Sequence, residues 1–213
     1  MKKLFVITVT VIITVIIAVQ SRSFADLVPP WRGEEGSTYQ QWDFSADDRT
    51  PPPEEGNVYN PYGNGPQLRV DTPFVWYPVV DSASGVWPLS GEIDVYIPNR
   101  QLPLDRKDIW IQLIWKQANL DPAPFLPDEP VVGVTPFDSM TMSREDLPGQ
   151  DDWTHTQFQI EIYPNPDAEW ITIKGDIFVD QLIIETYCIP EPATIALLGI
   201  GGLVTLTRRK RSV

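Results

Sequence analysis

The sequence predicts an all-β fold, an antiparallel β-sandwich of jelly-roll type, on three observations. Segments in the middle of the chain alternate apolar and polar residues with the period of two expected of half-buried strands. The 22 prolines and 13 glycines separate these segments with turn signals. Helical periodicity is missing there, apart from a weak pattern over residues 143–147. Many short strands without helices favour two packed antiparallel sheets.

The strands are predicted in chain order. Residues 26–66 are irregular and rich in proline, with one strand over residues 38–44. Alternation is plain in the next strand, where Ile93, Val95 and Ile97 share one face. Residues 109–116 carry apolar side chains on both faces, which indicates a central strand.

Three further strands complete the predicted sheet. Residues 153–163 place Phe158, Ile160 and Ile162 inward and His155 outward, and residues 164–167 form a turn. Residues 170–174 and 178–187 follow as two separate strands. The body of the protein is therefore predicted to be one sandwich domain over residues 26–188.

The two ends have a different composition. Two lysines, an apolar run over residues 4–19 and small residues at Ser23 and Ala25 form a secretory signal peptide, predicted over residues 1–25 as a helix. Signal peptidase would cut between Ala25 and Asp26. An uncleaved membrane anchor is the alternative, because the apolar run approaches the lower limit for a spanning helix.

The C-terminal segment, residues 189–213, has three parts in fixed order. Prolines flank a charged residue in Pro190-Glu191-Pro192, which keeps this tripeptide extended and accessible. An apolar run over residues 193–207 follows, predicted as a membrane helix. A basic cluster then stays on the cytoplasmic side of the membrane. The apolar run includes Ala193, Leu197, Leu198 and Leu203, and the basic cluster is Arg208, Arg209, Lys210 and Arg211.

This segment, IPEPATIALLGIGGLVTLTRRKRSV, resembles the PEP-CTERM sorting signal, also known as the ice-binding protein C-terminal domain. The resemblance implies cutting at or near the tripeptide by exosortase, a membrane-embedded cysteine protease, with this chain as substrate. The body, with GSTYQQWDF, GVWPLSG and FVDQLIIETYCIPEP, is similar to exported proteins of unknown function that carry the same signal. Cleavage and a retained anchor both stay open, although 15 apolar residues would span only about 22 Å of a hydrocarbon core about 30 Å thick.

The composition of the body limits its partners. Between residues 26 and 190, 9 Lys and Arg face 28 Asp and Glu, an excess of 19 negative charges. Such a surface repels phosphate backbones, so nucleic acid is excluded as a partner. Cys188 is the single cysteine and rules out an intramolecular disulfide; we interpret it as an apolar residue that ends the last strand.

Catalytic and metal sites find little support. His155 is the single histidine and Cys188 lies on another strand, so neither a nucleophilic device nor a zinc site is expected. Asp94 and Glu161 are the candidates for carboxylate-based glycoside hydrolysis. No cofactor is expected, with a structural calcium on loop acids as the alternative. Those acids are Asp47, Asp48, Asp81, Asp151 and Asp152.

The eight tryptophans leave a glycan-binding surface open, because indole faces stack on sugar rings. Trp76, Trp87 and Trp115 are expected in the core, whereas Trp31, Trp42, Trp110 and Trp153 are less clearly so. We therefore expect a non-catalytic exported protein of the cell surface or extracellular matrix. A polysaccharide-binding module is the alternative, and a glycoside hydrolase is a weaker one.

Overall fold

The computed structural model describes residues 27–100, 106–119, 126–149 and 151–189, and these form an all-β, antiparallel fold with no helix in the described ranges. The strands are β1 Ser37–Trp42, β2 Val58–Tyr59, β3 Gln67–Asp71, β4 Tyr77–Val80, β5 Ala83–Pro98, β6 Arg106–Gln117, β7 Val131–Thr135, β8 Ser139–Pro148, β9 Thr154–Tyr163 and β10 Ala168–Ile189.

The 22-residue strand β10 organises the sheet. Its first part pairs with β5 on one side, from Ala168↔Pro98 to Val179↔Trp87, and with β7 on the other. Its second part pairs with β6 and β1. A register shift between Val179 and Gln181 marks the change. We call β3, β5, β7 and the first part of β10 the β5 half, and β2, β1, the second part of β10, β6, β9 and β8 the β6 half.

Both halves contribute side chains to one apolar core. The alternation in the strands is confirmed, because Ile93, Val95 and Ile97 are fully buried. From the β6 half come Ile109, Ile111, Leu113, Phe158, Ile160 and Ile162, and from β10 come Ile171, Ile173, Leu182 and Ile184. The apolar side chains of two sheet halves are thus removed from water together, which is the main driving force for this fold.

The prediction of two separate strands over residues 170–174 and 178–187 is wrong. Lys174, Gly175 and Asp176 lie inside β10, although this polar sequence with glycine is typical of a turn. The Asp176 N–H donates to the Pro127 carbonyl at 2.9 Å, and the Asp176 carbonyl accepts from Ala118 at 3.1 Å. Neighbouring segments therefore satisfy the backbone here and keep the strand extended. Residues 143–147 likewise belong to a strand, β8, and are not helical.

The outward orientation predicted for His155 is also corrected, because this side chain is 4% exposed. His155 does lie on the face opposite the main core, beside Ile114 in the β6–β9 pairing. That face is covered. Ile114 and Trp153 form a second apolar cluster with Val86, and the segment before β1 crosses the same face. The alternation was read correctly, but the second face of the sheet is not open to solvent.

The jelly-roll connectivity stays a prediction. Among the described residues no helix is long and apolar enough to cross a membrane. The signal helix predicted over residues 1–25 and the apolar helix predicted over residues 193–207 lie outside the described residues.

Candidate functional site

The outward face of the β5 half presents an ordered polar surface with one aromatic row. Strand pairing aligns Gln67 with Tyr96, Tyr96 with Trp170, and Trp170 with Thr135. The next row on the same face runs from Arg69 through Asp94 and Thr172 to Gly133. Because alternate residues of a strand point to one face, the buried Ile171 and Ile173 place Trp170 and Thr172 on this outer side.

Trp170 dominates this surface. Trp170 is 53% exposed, and among the described residues it is the exposed tryptophan. Its ring centroid lies 5.0 Å from that of Tyr96, with 51° between the ring planes. The indole borders a groove of about 620 Å³, whose lining is Thr50, Pro51, Pro52, Pro66, Gln67, Leu68, Arg69, Asp94 and Trp170. A flat aromatic face at the edge of a groove with polar groups is suited to a ligand that has both apolar faces and hydroxyl edges.

The charged side chains beside Trp170 are held in place by one another. Arg69 Nη2 lies 2.9 Å from an Asp71 carboxylate oxygen and 3.9 Å from Asp94 Oδ2. The Thr172 hydroxyl donates to Asp94 Oδ1 at 3.1 Å. Gly133 has no atom within 4 Å of the position where a Cβ would stand. The arrangement therefore offers oriented donors and acceptors next to open space.

The other tryptophans occupy different surroundings. Trp87 and Trp115 are buried as predicted, and Trp76 is half-buried against the core. Trp42 and Trp153, which the sequence left undecided, are 0% and 3% exposed. Trp31 and Trp110 are half-buried and meet edge to face at 6.1 Å between ring centroids. Sequence reasoning did not single out Trp170, although its place next to two inward isoleucines was a usable signal.

The predicted loop acids are brought together only in part. Asp81 and Asp152 lie near each other because Lys116 Nζ is 2.9 Å from Asp81 Oδ2 and 3.8 Å from Asp152 Oδ2. Lys116 also donates to the Asp151 carbonyl at 3.1 Å, so an ammonium group already stands between these acids. Asp47 and Asp48 lie in the separate loop before β2. In the described ranges no group of three or more His, Cys, Asp or Glu residues is arranged to hold a metal ion.

The candidates for catalysis are not assembled into one site. Asp94 lies on the outer face of the β5 half, while Glu161 belongs to β9 in the β6 half, opposite Asp108. Cys188 is 3% exposed, and burial is the largest cause that raises the pKa of its thiol. A buried thiol with a raised pKa is a poor nucleophile.

The end of β10 fixes where the sorting segment begins. Cys188 pairs with Lys107 and Ile189 with Arg106, and the Cys188 N–H donates to the Gly36 carbonyl at 3.2 Å. The tripeptide Pro190-Glu191-Pro192, the apolar run and the basic cluster follow directly and lie outside the described residues, as do Ala25 and Asp26. Strand β10 thus includes the residue directly before the tripeptide.

Comparison with known families gives a match at the C-terminal segment. Residues 189–211 match the PEP-CTERM protein-sorting motif. The motif indicates an exported protein that is processed by exosortase and lies at the cell surface or outside the cell, so the resemblance seen in the sequence is confirmed. The chain carries this motif at the end of an all-β body. No curated protein matches the sequence.

Proposed function

We propose that this chain is a non-catalytic surface protein, delivered through its PEP-CTERM tail, whose β5 half binds a neutral polysaccharide. The observation that carries the proposal is the exposed Trp170 ring beside Tyr96, at the edge of a groove with Arg69, Asp94 and Gln67. No cofactor is part of this proposal.

Stacking supplies the physical reason. The axial hydrogens of a sugar ring form an apolar face that packs on an indole, and its equatorial hydroxyls need hydrogen-bond partners at the edge. The amide of Gln67, the guanidinium of Arg69 and the carboxylate of Asp94 offer both donors and acceptors of that kind. Interactions of charged groups with hydroxyls are stronger than neutral hydrogen bonds.

Charge favours neutral glycans over acidic ones. The body has an excess of 19 negative charges between residues 26 and 190, as 9 basic residues face 28 acidic ones. Arg69 and Lys174, the cations on the outer face of the β5 half, are each paired with a carboxylate of the same face. A uronic-acid polymer would therefore meet net repulsion, which rises as salt is lowered.

A binding titration tests this proposal. Neutral and acidic polysaccharides are titrated into the purified protein while heat and tryptophan emission are recorded. We expect a saturable response to a neutral glycan, and a loss of at least about fivefold in affinity in Trp170→Ala, as removal of a central aromatic contact typically costs more than about 1 kcal/mol. Tyr59→Ala is the matched control, because Tyr59 is 55% exposed on the separate strand β2.

The other roles are outcomes of the same experiment. A flat response to every glycan would favour display as a structural or adhesive protein without a glycan site. Hydrolysis of a bound glycan that disappears in Asp94→Asn or Glu161→Gln would replace the proposal with an enzyme. Retention or release of the displayed body is decided by processing at the tail.

A further inference from the structure

Three polar side chains meet inside the apolar core. Lys107 at the start of β6 and Glu169 at the start of β10 are both 0% exposed, and Asn99, which follows β5, is 3% exposed. Lys107 and Glu169 come from the two different halves of the sheet, so the group bridges the interior. Alternation places Lys107 on the inward face with Ile109 and Ile111, but Glu169 lies 62 residues further along the chain.

The contacts within this group are close and directional. Lys107 Nζ contacts the Asn99 side-chain oxygen Oδ1. It also lies 2.8 Å from Glu169 Oε1 and 3.1 Å from Oε2. Asn99 Nδ2 donates to Glu169 Oε2 at 2.5 Å and to the Pro166 carbonyl at 2.8 Å. Both partners of Nδ2 are acceptors, which fixes the amide orientation with its carbonyl towards Lys107.

The environment is unusual for an ammonium and a carboxylate. Removing both charges from water costs several kcal/mol per ion, and an ion pair alone often fails to offset that cost. Burial raises the pKa of Glu169, while Lys107 acts in the opposite direction. A carboxyl group in this position is suited to take a proton from the amine and pass it on.

We propose that Lys107 and Asn99 form an intramolecular isopeptide bond, with Glu169 as the group that transfers the proton. The geometry has the features such a reaction needs: an amine against an amide carbonyl, and one carboxylate that touches both the nucleophile and the leaving nitrogen. Positioning of this kind accelerates an otherwise slow reaction between an amine and an amide.

The reaction balances without a cofactor or an oxidant. Glu169 accepts a proton from the Lys107 ammonium, and the neutral Nζ attacks Asn99 Cγ. The Nζ–Cγ bond forms and the Cγ–Nδ2 bond breaks, while Glu169 delivers a proton to the departing Nδ2. Ammonia leaves and takes up the remaining proton as ammonium, so the product is one secondary amide and an ionised Glu169.

The position of the bond gives it a mechanical role. It would join the end of β5 to the start of β6, at the residue that pairs with Cys188 next to the sorting motif. The single cysteine, Cys188, rules out a disulfide within the chain, so an amide cross-link would be a covalent staple for an exported body. Pulling on the tail would load the β10–β6 pair, in which Lys107 lies opposite Cys188.

Mass spectrometry of the purified protein tests the bond. We expect an intact mass below that of the processed sequence by one ammonia, about 17 Da. Trypsin cuts after Arg69, Arg100 and Arg106 but not after an acylated lysine. The digest should therefore contain a branched peptide that joins residues 70–100 to residues 107–116.

Variants localise the reaction. Glu169→Gln and Asn99→Ala should restore the full sequence mass and separate tryptic peptides, whereas Lys174→Arg, on the outer face, should keep the branched peptide. Circular dichroism reports whether each variant folds, and the branched peptide of the unaltered protein decides the matter even if a variant does not. An unshifted mass, or a loss of ammonia without the branched peptide, would overturn the proposal and leave a buried ion pair. Neither result depends on glycan binding.

Discussion

Arg32, in the segment before β1, donates two hydrogen bonds to the Glu185 carboxylate of β10, 2.5 Å from Nε to Oε1 and 2.6 Å from Nη2 to Oε2. Glu185 is fully buried, and the Arg32 guanidinium also lies 4.6 Å from the centre of the Tyr39 ring. A few residues earlier, the Leu27 N–H donates to Gln112 Oε1 at 2.9 Å, and Gln112 Nε2 donates to the Leu27 carbonyl at 3.0 Å. The chain just after the predicted signal cleavage site is therefore fastened across the strands that lead to the sorting motif.

Arg32→Ala should destabilise the protein strongly. The substitution removes a bidentate partner from a buried carboxylate, a change that typically costs about 3–5 kcal/mol. Urea unfolding followed by fluorescence measures the change. Lys174→Ala is the control, because the Lys174–Glu92 pair is largely exposed and should be worth less than about 1 kcal/mol. Equal losses in the two variants would show that the Arg32 contact is not a structural one.

Asp180→Asn should stabilise the protein near neutral pH. Burial, followed by the charge of Asp43, raises the Asp180 pKa from 3.8 to about 6. The folded state therefore holds a proton that the unfolded chain has released between about pH 4 and 6, so this group's contribution to stability falls through that window and stays low above it. The increase in the free energy of unfolding of Asp180→Asn over the parent should be absent below about pH 4. It should reach about 1–2 kcal/mol at pH 7, after allowance for solvent screening.

Asp43→Asn provides the comparison for Asp180. Because burial is the larger cause of the shift, removing the Asp43 charge should lower the Asp180 pKa only part of the way towards 3.8. The pH range over which stability falls should therefore become narrower but remain. Unfolding free energies measured from pH 3 to 8 for the parent and both variants give this difference directly. A pH-independent gain in Asp180→Asn would contradict the assignment.

Gly91→Ala should disrupt the pairing of β3 with β5. A Cβ at Gly91 would stand 2.1 Å from the Asp71 carbonyl oxygen, so the backbone of β3 would have to move. We expect a loss of about 2–4 kcal/mol, in the range of overpacked sites. Gly133→Ala is the matched control in another strand of the same half, where a Cβ meets no atom within 4 Å, and it should change stability by less than about 0.5 kcal/mol. Thermal unfolding of both variants checks the contrast.

The alternation of apolar and polar residues predicted much of this fold, because the buried residues of the core recur at every second position along their strands. The alternating residues of β5, β6 and β9 face inward as their spacing indicates, namely Ile93, Val95, Ile97, Ile109, Ile111, Ile160 and Ile162. The break predicted at Gly175 was wrong because contacts from distant residues, Pro127 and Ala118, satisfy the backbone there. Local sequence records turn propensity but not the partners that override it.

The candidate sites were harder to predict for a related reason. Alternation with Ile171 and Ile173 indicated an outward Trp170, but the groove beside it and the open space at Gly133 depend on how distant segments pair. The group formed by Lys107, Asn99 and Glu169 depends on pairing between distant strands, which single-strand alternation cannot supply. The sorting motif was recognised from sequence because it is short, contiguous and independent of the fold.

Processing at the tail is the last expectation, and it follows from how β10 ends. Both Cys188 and Ile189 are paired in the sheet, so β10 itself is not accessible to a protease that needs an unpaired peptide. We therefore expect cutting at or near Pro190-Glu191-Pro192, as the sorting motif implies. Intact mass of the protein from membrane and released fractions should show a body that begins at Asp26, retains Ile189 and has lost the basic cluster. Glu191→Ala should keep the full tail, while Glu129→Ala, on an exposed carboxylate of the body, should be processed normally. A parent protein that still carries Arg208 to Arg211 would mean that the apolar run is a permanent anchor despite its short span, with about 22 Å of helix matched to a thinned bilayer.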